Sequence, residues 1–231
     1  MIARIHDALS VQQSDKVIEI GPGRGALTTD LAEATSNLTL IELDRDFATD
    51  LQRRFPNAEL HSMDVLDVPL ESFAERRVVG NLPYNISTAL LIRLLMEPRI
   101  VDMHFMLQTE VALRLAASPG EKAWGRISVM AQYRCQIQPL FAVPASSFRP
   151  VPKVESMFVR LTPRAPKHAA NDFQTYSDVV RSAFSQRRKT LANSLSSYEI
   201  SWERLELDSR MRADHASVDD YVFIANSIDF Q

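Results

Sequence analysis

Asn81-Leu82-Pro83-Tyr84 sets an amide, a conformationally locked proline and an aromatic ring at the point where the apolar run Arg77-Val78-Val79-Gly80 stops. Pro83 fixes its own φ and pushes Leu82 towards extended backbone, so the loop they form is stiff. A run of β-branched residues that breaks in this way reads as a buried strand ending in a tight loop. Such a loop, holding an amide and an aromatic at a strand's carboxyl end, is suited to gripping a flat, hydrogen-bonding group. The same four residues also fit a plain turn with an Asn cap and a core Tyr, so the choice falls to the rest of the chain.

A second constellation lies upstream. Gly21-Pro22-Gly23-Arg24-Gly25 follows the short apolar run Lys16–Ile20 and precedes a helical pattern, the position at which glycines let a backbone approach a ligand. Its spacing is G-x-G-x-G. The dinucleotide fingerprint G-x-G-x-x-G would need glycine where Ala26 stands. Together with the lack of a plausible hydride-site His or Lys, this disfavours a nicotinamide dehydrogenase. Glu42 ends the second strand about 20 residues on, where a carboxylate accepts from ribose hydroxyls. Asp64 ends the third strand, placed to receive an exocyclic amine or a ring edge. Glycine turns and strand-end acids are each common alone; three features at successive strand ends point to nucleotide-type binding.

The elements that must position these residues alternate. Strands are predicted at Lys16–Ile20, Leu38–Leu43, Ala58–Met63, Val78–Leu82 and Val101–Leu107. Helices are predicted at 2–9, 26–34, 45–55, 89–96 (capped by Ser87-Thr88) and 110–117. This alternation implies a parallel, doubly wound α/β sheet. Residues 139–152 carry four prolines, typical of an irregular rim or an edge, before a last alternating strand at Val154–Leu161. Pro163-Arg164-Ala165-Pro166 reads as a linker. Helical patterns at 173–195 and 219–227 follow, so the expected domains are 1–164 and a small helical domain at 165–231.

Composition sets the class. The charged fraction of 24% and hydrophobic fraction of 45% are those of an ordinary globular protein. No apolar run approaches a membrane span and no signal-peptide layout opens the chain, so a cytoplasmic protein is expected. Cys135 stands alone, which rules out an internal disulfide and leaves no thiolate metal cluster; it reads as a buried structural thiol. The five histidines show no ligand spacing, no metal site is expected, and Trp124 and Trp202 read as packing residues. The total charge of −3 hides an uneven spread: residues 145–195 hold nine Lys or Arg against three acids. A basic segment on an acidic body fits a protein with one face for phosphate backbones.

The cofactor-turn layout resembles class I S-adenosylmethionine-dependent methyltransferases, whose sheet is Rossmann-like. Gly80-Asn81-Leu82-Pro83-Tyr84-Asn85-Ile86-Ser87 narrows the resemblance to the rRNA adenine dimethyltransferase family. The match continues through Phe105-Met106-Leu107-Gln108-x-Glu110-Val111 and Gly125-Arg126-x-Ser128-Val129-x-Ala131-Gln132-Tyr133. It runs on through Ser147-Phe148-x-Pro150-x-Pro152-Lys153-Val154 to Phe184-x-Gln186-Arg187-Arg188-Lys189-Thr190, covering nearly the whole chain. Family members also carry a basic segment with a Phe-Gly-Gln-Asn-Phe-Leu-like motif that helps close over the cofactor; the sequence contains no match to it, and Met1 aligns where the family's first domain helix is already under way.

The resemblance implies a set of roles. S-adenosyl-L-methionine would be held by Gly21, Gly23, Glu42, Leu43, Asp64, Val65 and Asn81. Asn81, Leu82, Pro83, Tyr84 and Phe148 would carry catalysis, with Tyr84 and Phe148 stacking on a flipped adenine. Arg149, Lys153, Arg187, Arg188 and Lys189 would bind RNA, the Gln186–Lys189 stretch together with Arg181 on helical turns. The implied activity is N6-dimethylation of two adjacent adenines in the 3′-terminal hairpin loop of 16S rRNA, four methyl groups in total. The implied partner is 16S rRNA within an immature 30S subunit, and the implied state a monomer. Two alternatives remain open: the related family that dimethylates a 23S rRNA adenine, and an assembly or binding factor with little catalysis. The Ser147–Val154 and Phe184–Thr190 strings favour the 16S reading.

Overall fold

The computed structural model describes residues 1–83, 86–148 and 151–228. In chain order the elements are α1 (Ile2–Leu9), β1 (Lys16–Ile20), α2 (Thr28–Ala34), β2 (Asn37–Glu42), α3 (Arg45–Arg54) and β3 (Glu59–Ser62), then β4 (Arg77–Asn81), α4 (Ser87–Leu94), β5 (Asp102–Gln108) and α5 (Thr109–Ala116). They continue with α6 (Arg126–Arg134), β6 (Cys135–Val143), β7 (Ser156–Pro163), α7 (Phe173–Ser185), α8 (Leu191–Ser194), α9 (Trp202–Leu205) and α10 (Val218–Asn226).

The seven strands form one sheet in the order β3-β2-β1-β4-β5-β7-β6. β1 to β5 are parallel, and β7 enters antiparallel to β5, with Met106 opposite Phe158. Val17, Ile18, Leu40, Val78, Val79 and Phe105 are almost wholly buried. Central strands of a parallel sheet are covered on both faces, which is why these segments read as unbroken apolar runs. The order reverses between β1 and β4, and the carboxyl ends of strands at such a switch point open a crevice for ligands.

Of the rim and the edge expected for the proline-rich stretch, its start is an edge: β6 holds Pro139 and takes the outermost place in the sheet, where a residue without an N–H is tolerated. Two other local expectations are corrected. Ser87 is the first residue of α4 and not its cap. Residues 186–189 form a turn after α7 and not a helical continuation, since Gln186 leaves the helical region at φ −124°.

The chain forms two compact units. One comprises Met1–Ala112 with Gln136–Pro163, and the other Leu113–Cys135 with the segment that starts at Arg164, whereas the sequence placed its division at 164/165. The second unit is helical. Ile127, Val129, Met130, Ala131 and Tyr133 of α6 are buried; the Trp124 indole N–H donates to Ala216 O at 3.0 Å and the Tyr176 hydroxyl to Val129 O at 3.3 Å. Cys135 is buried, which pushes its thiol up to about 12, as expected of a structural thiol. Among the described residues no helix is long and apolar enough to cross a membrane.

At the amino end of the parallel strands, Arg77 of β4 grips Asp102 of β5 with two N–H donors at 2.9 and 3.0 Å. Its remaining donors reach Asp15 at 2.9 Å and the Leu9 carbonyl at 2.7 Å, tying the end of α1 to the sheet. Burial works against the Asp102 charge, but the contacts from His104 and Arg77 outweigh it and hold the carboxyl well below the usual carboxylate range. Removing Arg77 takes two short N–H donors from the buried Asp102 and leaves it the longer contacts of His104 and Arg160, both at 3.5 Å. Arg77→Met should therefore lower stability by roughly 3 kcal/mol in urea unfolding at neutral pH. The gap should narrow as the pH falls and the Asp102 carboxyl takes up a proton.

Candidate active site

The crevice between β1 and β4 is built by one tight contact. Ile20 pairs with Gly80, and a Cβ at position 80 would stand 2.8 Å from the Ile20 carbonyl oxygen, so only glycine lets the strands close here. Above this pair the chain leaves β1 through Gly21, whose N–H donates to Ile41 O at 2.9 Å. A Cβ on Gly21 would lie 3.9 Å from the Asn81 carbonyl, so the glycine loop and the Asn81 loop are neighbours.

Glu42 fastens the glycine loop. One carboxylate oxygen accepts the Gly23 N–H at 2.8 Å and the other accepts the Asp44 N–H at 2.9 Å. Gly23 has φ +54°, the left-handed conformation that turns its N–H towards Glu42. Leu43, next in the chain, is 66% exposed, an apolar surface beside a buried carboxylate. Asp64 is half-buried, with Oδ1 taken by the Leu66 N–H at 2.9 Å. Val65 has its side chain in the core, so its backbone is the part available to a ligand.

At the acceptor loop, Asn81 is exposed at the end of β4 opposite Met106. Leu82 is buried and its N–H reaches Met106 O at 3.3 Å, which anchors the loop from below. The Pro83 carbonyl accepts from Ile86 and Ser87 at 3.2 and 3.1 Å, joining the loop to α4. Tyr84 and Arg149 lie outside the described residues. Phe148 is half-buried and packs against the core cluster that includes Val143 and Phe158.

The structure thus brings Gly21, Gly23, Glu42, Asn81, Leu82 and Pro83 together. Lys153 is exposed in the same compact unit. Arg187, Arg188 and Lys189 belong to the other unit. Arg187 donates there to Lys122 O at 3.0 Å and meets Asp214 at 3.4 Å, while Arg188 and Lys189 are exposed.

One residue of the site escaped the sequence reading. Glu19 is 2% exposed, inside β1 directly below the glycine loop, and accepts the Thr28 hydroxyl at 2.7 Å. Burial, opposed in part by the Thr28 hydrogen bond and aided by Glu42, pushes its carboxyl up to about 7. The signal was the single acid in the run Lys16-Val17-Ile18-Glu19-Ile20.

The family model described as Ribosomal RNA adenine dimethylase matches residues 1–229. The chain belongs to this family. Similar relatives are the Ribosomal RNA small subunit methyltransferase A proteins of Chromohalobacter salexigens (46% identical, covering 99% of this chain and 86% of that protein) and Nitrosococcus oceani (48%, covering 96% and 88%). Among solved structures, a dimethyladenosine transferase from Plasmodium falciparum aligns with TM-score 0.82 at 24% identity, over 96% of this chain and 93% of that one. The 23S rRNA methyltransferase ErmE aligns with TM-score 0.74 at 24% identity, over 99% and 97%. These two structures establish that the dimethylase family's fold, a Rossmann-like α/β sheet, is the fold of this chain.

Glu19 gives the site a pH signature. Its folded value lies above the ordinary 4.5, so the native state binds the extra proton between pH 4.5 and 7 and stability falls as pH rises through that window. Glu19→Gln should gain on the parent protein across the same interval and level off above it. The full difference is roughly 3 kcal/mol, measured by urea unfolding at pH 5 and pH 8.

Proposed function

We propose that the chain uses S-adenosyl-L-methionine to dimethylate N6 of two adjacent adenines in the 3′-terminal hairpin loop of 16S rRNA. Its substrate is the rRNA within an immature 30S subunit, and it works as a cytoplasmic monomer. The observation that supports the reading is the closeness of Gly21 to the Asn81 carbonyl, which makes the glycine turn and the start of the Asn81-Leu82-Pro83 segment neighbours. Family membership supplies the substrate class, and the names of the relatives favour the small-subunit target over the 23S one.

The donor set suits the cofactor. Gly21 and Gly23 leave room for the methionine part, Glu42 takes ribose hydroxyls, Leu43 and Val65 flank the base, and Asp64 takes its exocyclic amine. The chemistry the cofactor supplies when bound is an electrophilic methyl on a sulfonium sulfur. The protein's contribution is alignment, which accounts for a large share of the rate gain in a two-reactant displacement.

An adenine amine is a weak nucleophile because its lone pair is shared with the ring. The Asn81 side-chain oxygen and the Leu82 carbonyl accept its two N–H groups and turn the lone pair towards the methyl. The Pro83 carbonyl is already engaged by α4 and is not the second acceptor. No carboxylate base is required, since the proton leaves the product ammonium after transfer. Tyr84 stacks on the flipped base, recovering roughly 1–3 kcal/mol of the unstacking cost. Phe148 closes the opposite face. Lys153, Arg149, Arg188 and Lys189 meet phosphates, and Arg187 does so from its anchored position on Asp214.

Reaction with undermethylated 30S particles, followed by mapping of methylated adenines, tests the reading. Two adjacent dimethylated adenines in the 3′-terminal hairpin loop are expected; modification of 23S rRNA alone, or none, would overturn it. For the loop, Tyr84→Ala should reduce single-turnover methylation by roughly 5- to 150-fold with cofactor affinity nearly unchanged. Asn81→Ala should slow the same step. Weaker cofactor binding with an unchanged transfer rate would remove Asn81 from the amine.

A further inference from the structure

The glycine loop has a second support besides Glu42, and it comes from the far end of the helix that follows Glu42. Arg54, the last residue of α3, donates from Nη1 to the Arg24 carbonyl at 2.8 Å. The turn it grips is already closed by the Gly25 N–H, which donates to Pro22 O at 2.9 Å. Gly25 has φ +77°, and a Cβ there would stand 3.2 Å from Leu51 and Phe55 and 3.3 Å from Arg54, so the loop lies directly on the last turn of α3. The guanidinium is itself aimed: it sits over the Phe55 ring, 5.0 Å from the centroid, and reaches Asp50 one turn back at 3.3 Å. Arg53, one residue earlier, is 80% exposed and meets Asp50 at 2.7 Å.

We propose that Arg54 is a positioning residue for the cofactor, holding the Gly21–Gly25 loop through the Arg24 carbonyl in the shape that receives the ligand. A loop with three glycines has many conformations open to it, and each one lost on binding costs affinity. A clamp present before the ligand arrives removes part of that cost. The effect is geometric and not coulombic. S-adenosyl-L-methionine carries a net positive charge, so deleting a neighbouring cation would by charge alone favour its binding. The inference rests on the proposed use of this cofactor, with its methionine part at the glycine loop.

Calorimetric titration of the intact chain and its variants with S-adenosyl-L-methionine, and with methylthioadenosine, which keeps the nucleoside but lacks the amino-acid part, tests the clamp. Arg54→Leu should weaken cofactor binding roughly 3- to 10-fold, the worth of one partly exposed hydrogen bond, and leave methylthioadenosine unaffected. Single-turnover transfer at saturating cofactor should keep its rate. In the free protein, amide exchange at Gly23 and Gly25, read by NMR, should quicken. Arg54→Lys should lose less, because the bond to Arg24 needs a single donor that an ammonium can supply. Arg53→Leu, which removes the same charge and leaves that bond in place, should bind as the parent does. Unchanged affinity or unchanged amide exchange in Arg54→Leu, an equal loss for both ligands, no smaller loss in Arg54→Lys, or the same loss in Arg53→Leu would each overturn the inference. Absence of cofactor binding in every protein, the parent included, would instead remove the proposed function, and amide exchange would still decide whether Arg54 holds the loop.

Discussion

Contact of Gly80 with the Ile20 carbonyl is the constraint on which the site depends. Parallel strands normally carry side chains at every position, and those side chains set how closely the loops beyond them approach. With no Cβ at position 80, β4 lies flush against β1 at the last pair before both strands end. The two loops that leave there, one glycine-rich and one stiffened by Pro83, become neighbours without either reaching across a gap. A ligand held by the first is then beside whatever the second holds. The dependence is mechanical: a displacement at this pair moves donor and acceptor relative to each other, and methyl transfer tolerates little misplacement.

The same strands treat charge in opposite ways at their two ends. At the amino end a buried cation, Arg77, is fully matched by Asp102, Asp15 and two carbonyls, and the result is a fixed joint between α1 and the sheet. At the carboxyl end Glu19 and Glu42 share a face with hydroxyl and N–H donors but no guanidinium or ammonium partner among the described residues. Arg77 and its partners anchor the fold, whereas the Glu42 carboxylate leaves unspent attraction for something positive. That difference separates a structural ion pair from a binding site more sharply than burial does, since Arg77, Asp102, Glu19 and Glu42 are all buried.

Much of this was legible in the sequence wherever one local signal sufficed. The runs at 16–20, 38–43 and 78–82 announce strands because both faces of the sheet are covered. α6 was missed because it is buried nearly all round: Ile127, Ser128, Val129, Met130, Ala131 and Tyr133 leave no polar stripe to reveal a helical period. Pro139 left β6 legible only as a rim or an edge, and the edge is where it lies. The end of α7 was overrun because Gln186-Arg187-Arg188-Lys189 are good helix formers, although Thr190, which caps α8 by accepting the Asn193 N–H, marked a new start. The inclusion of residues 113–135 in the second unit rests on contacts such as Trp124 to Ala216, across about ninety residues, which no local pattern encodes.

An acidic crevice and an RNA substrate make conflicting demands, and the distribution of charge answers both. Glu42 and Asp64 suit a cationic cofactor, yet the same carboxylates repel phosphates, so the nucleic acid cannot be held by the crevice itself. The cations are accordingly placed elsewhere in the sequence: residues 145–195 carry nine of the 26 Lys and Arg, in a chain of net charge −3. Of these, Lys153, Arg188 and Lys189 are exposed, while Arg187 is braced by Asp214 and the Lys122 carbonyl. Under the proposed function, the phosphates would be gripped by this segment and only an unstacked, uncharged base would enter between Asn81 and Tyr84. The acidity of the crevice then becomes a filter: it admits a neutral ring and a cationic methyl donor and turns the backbone away.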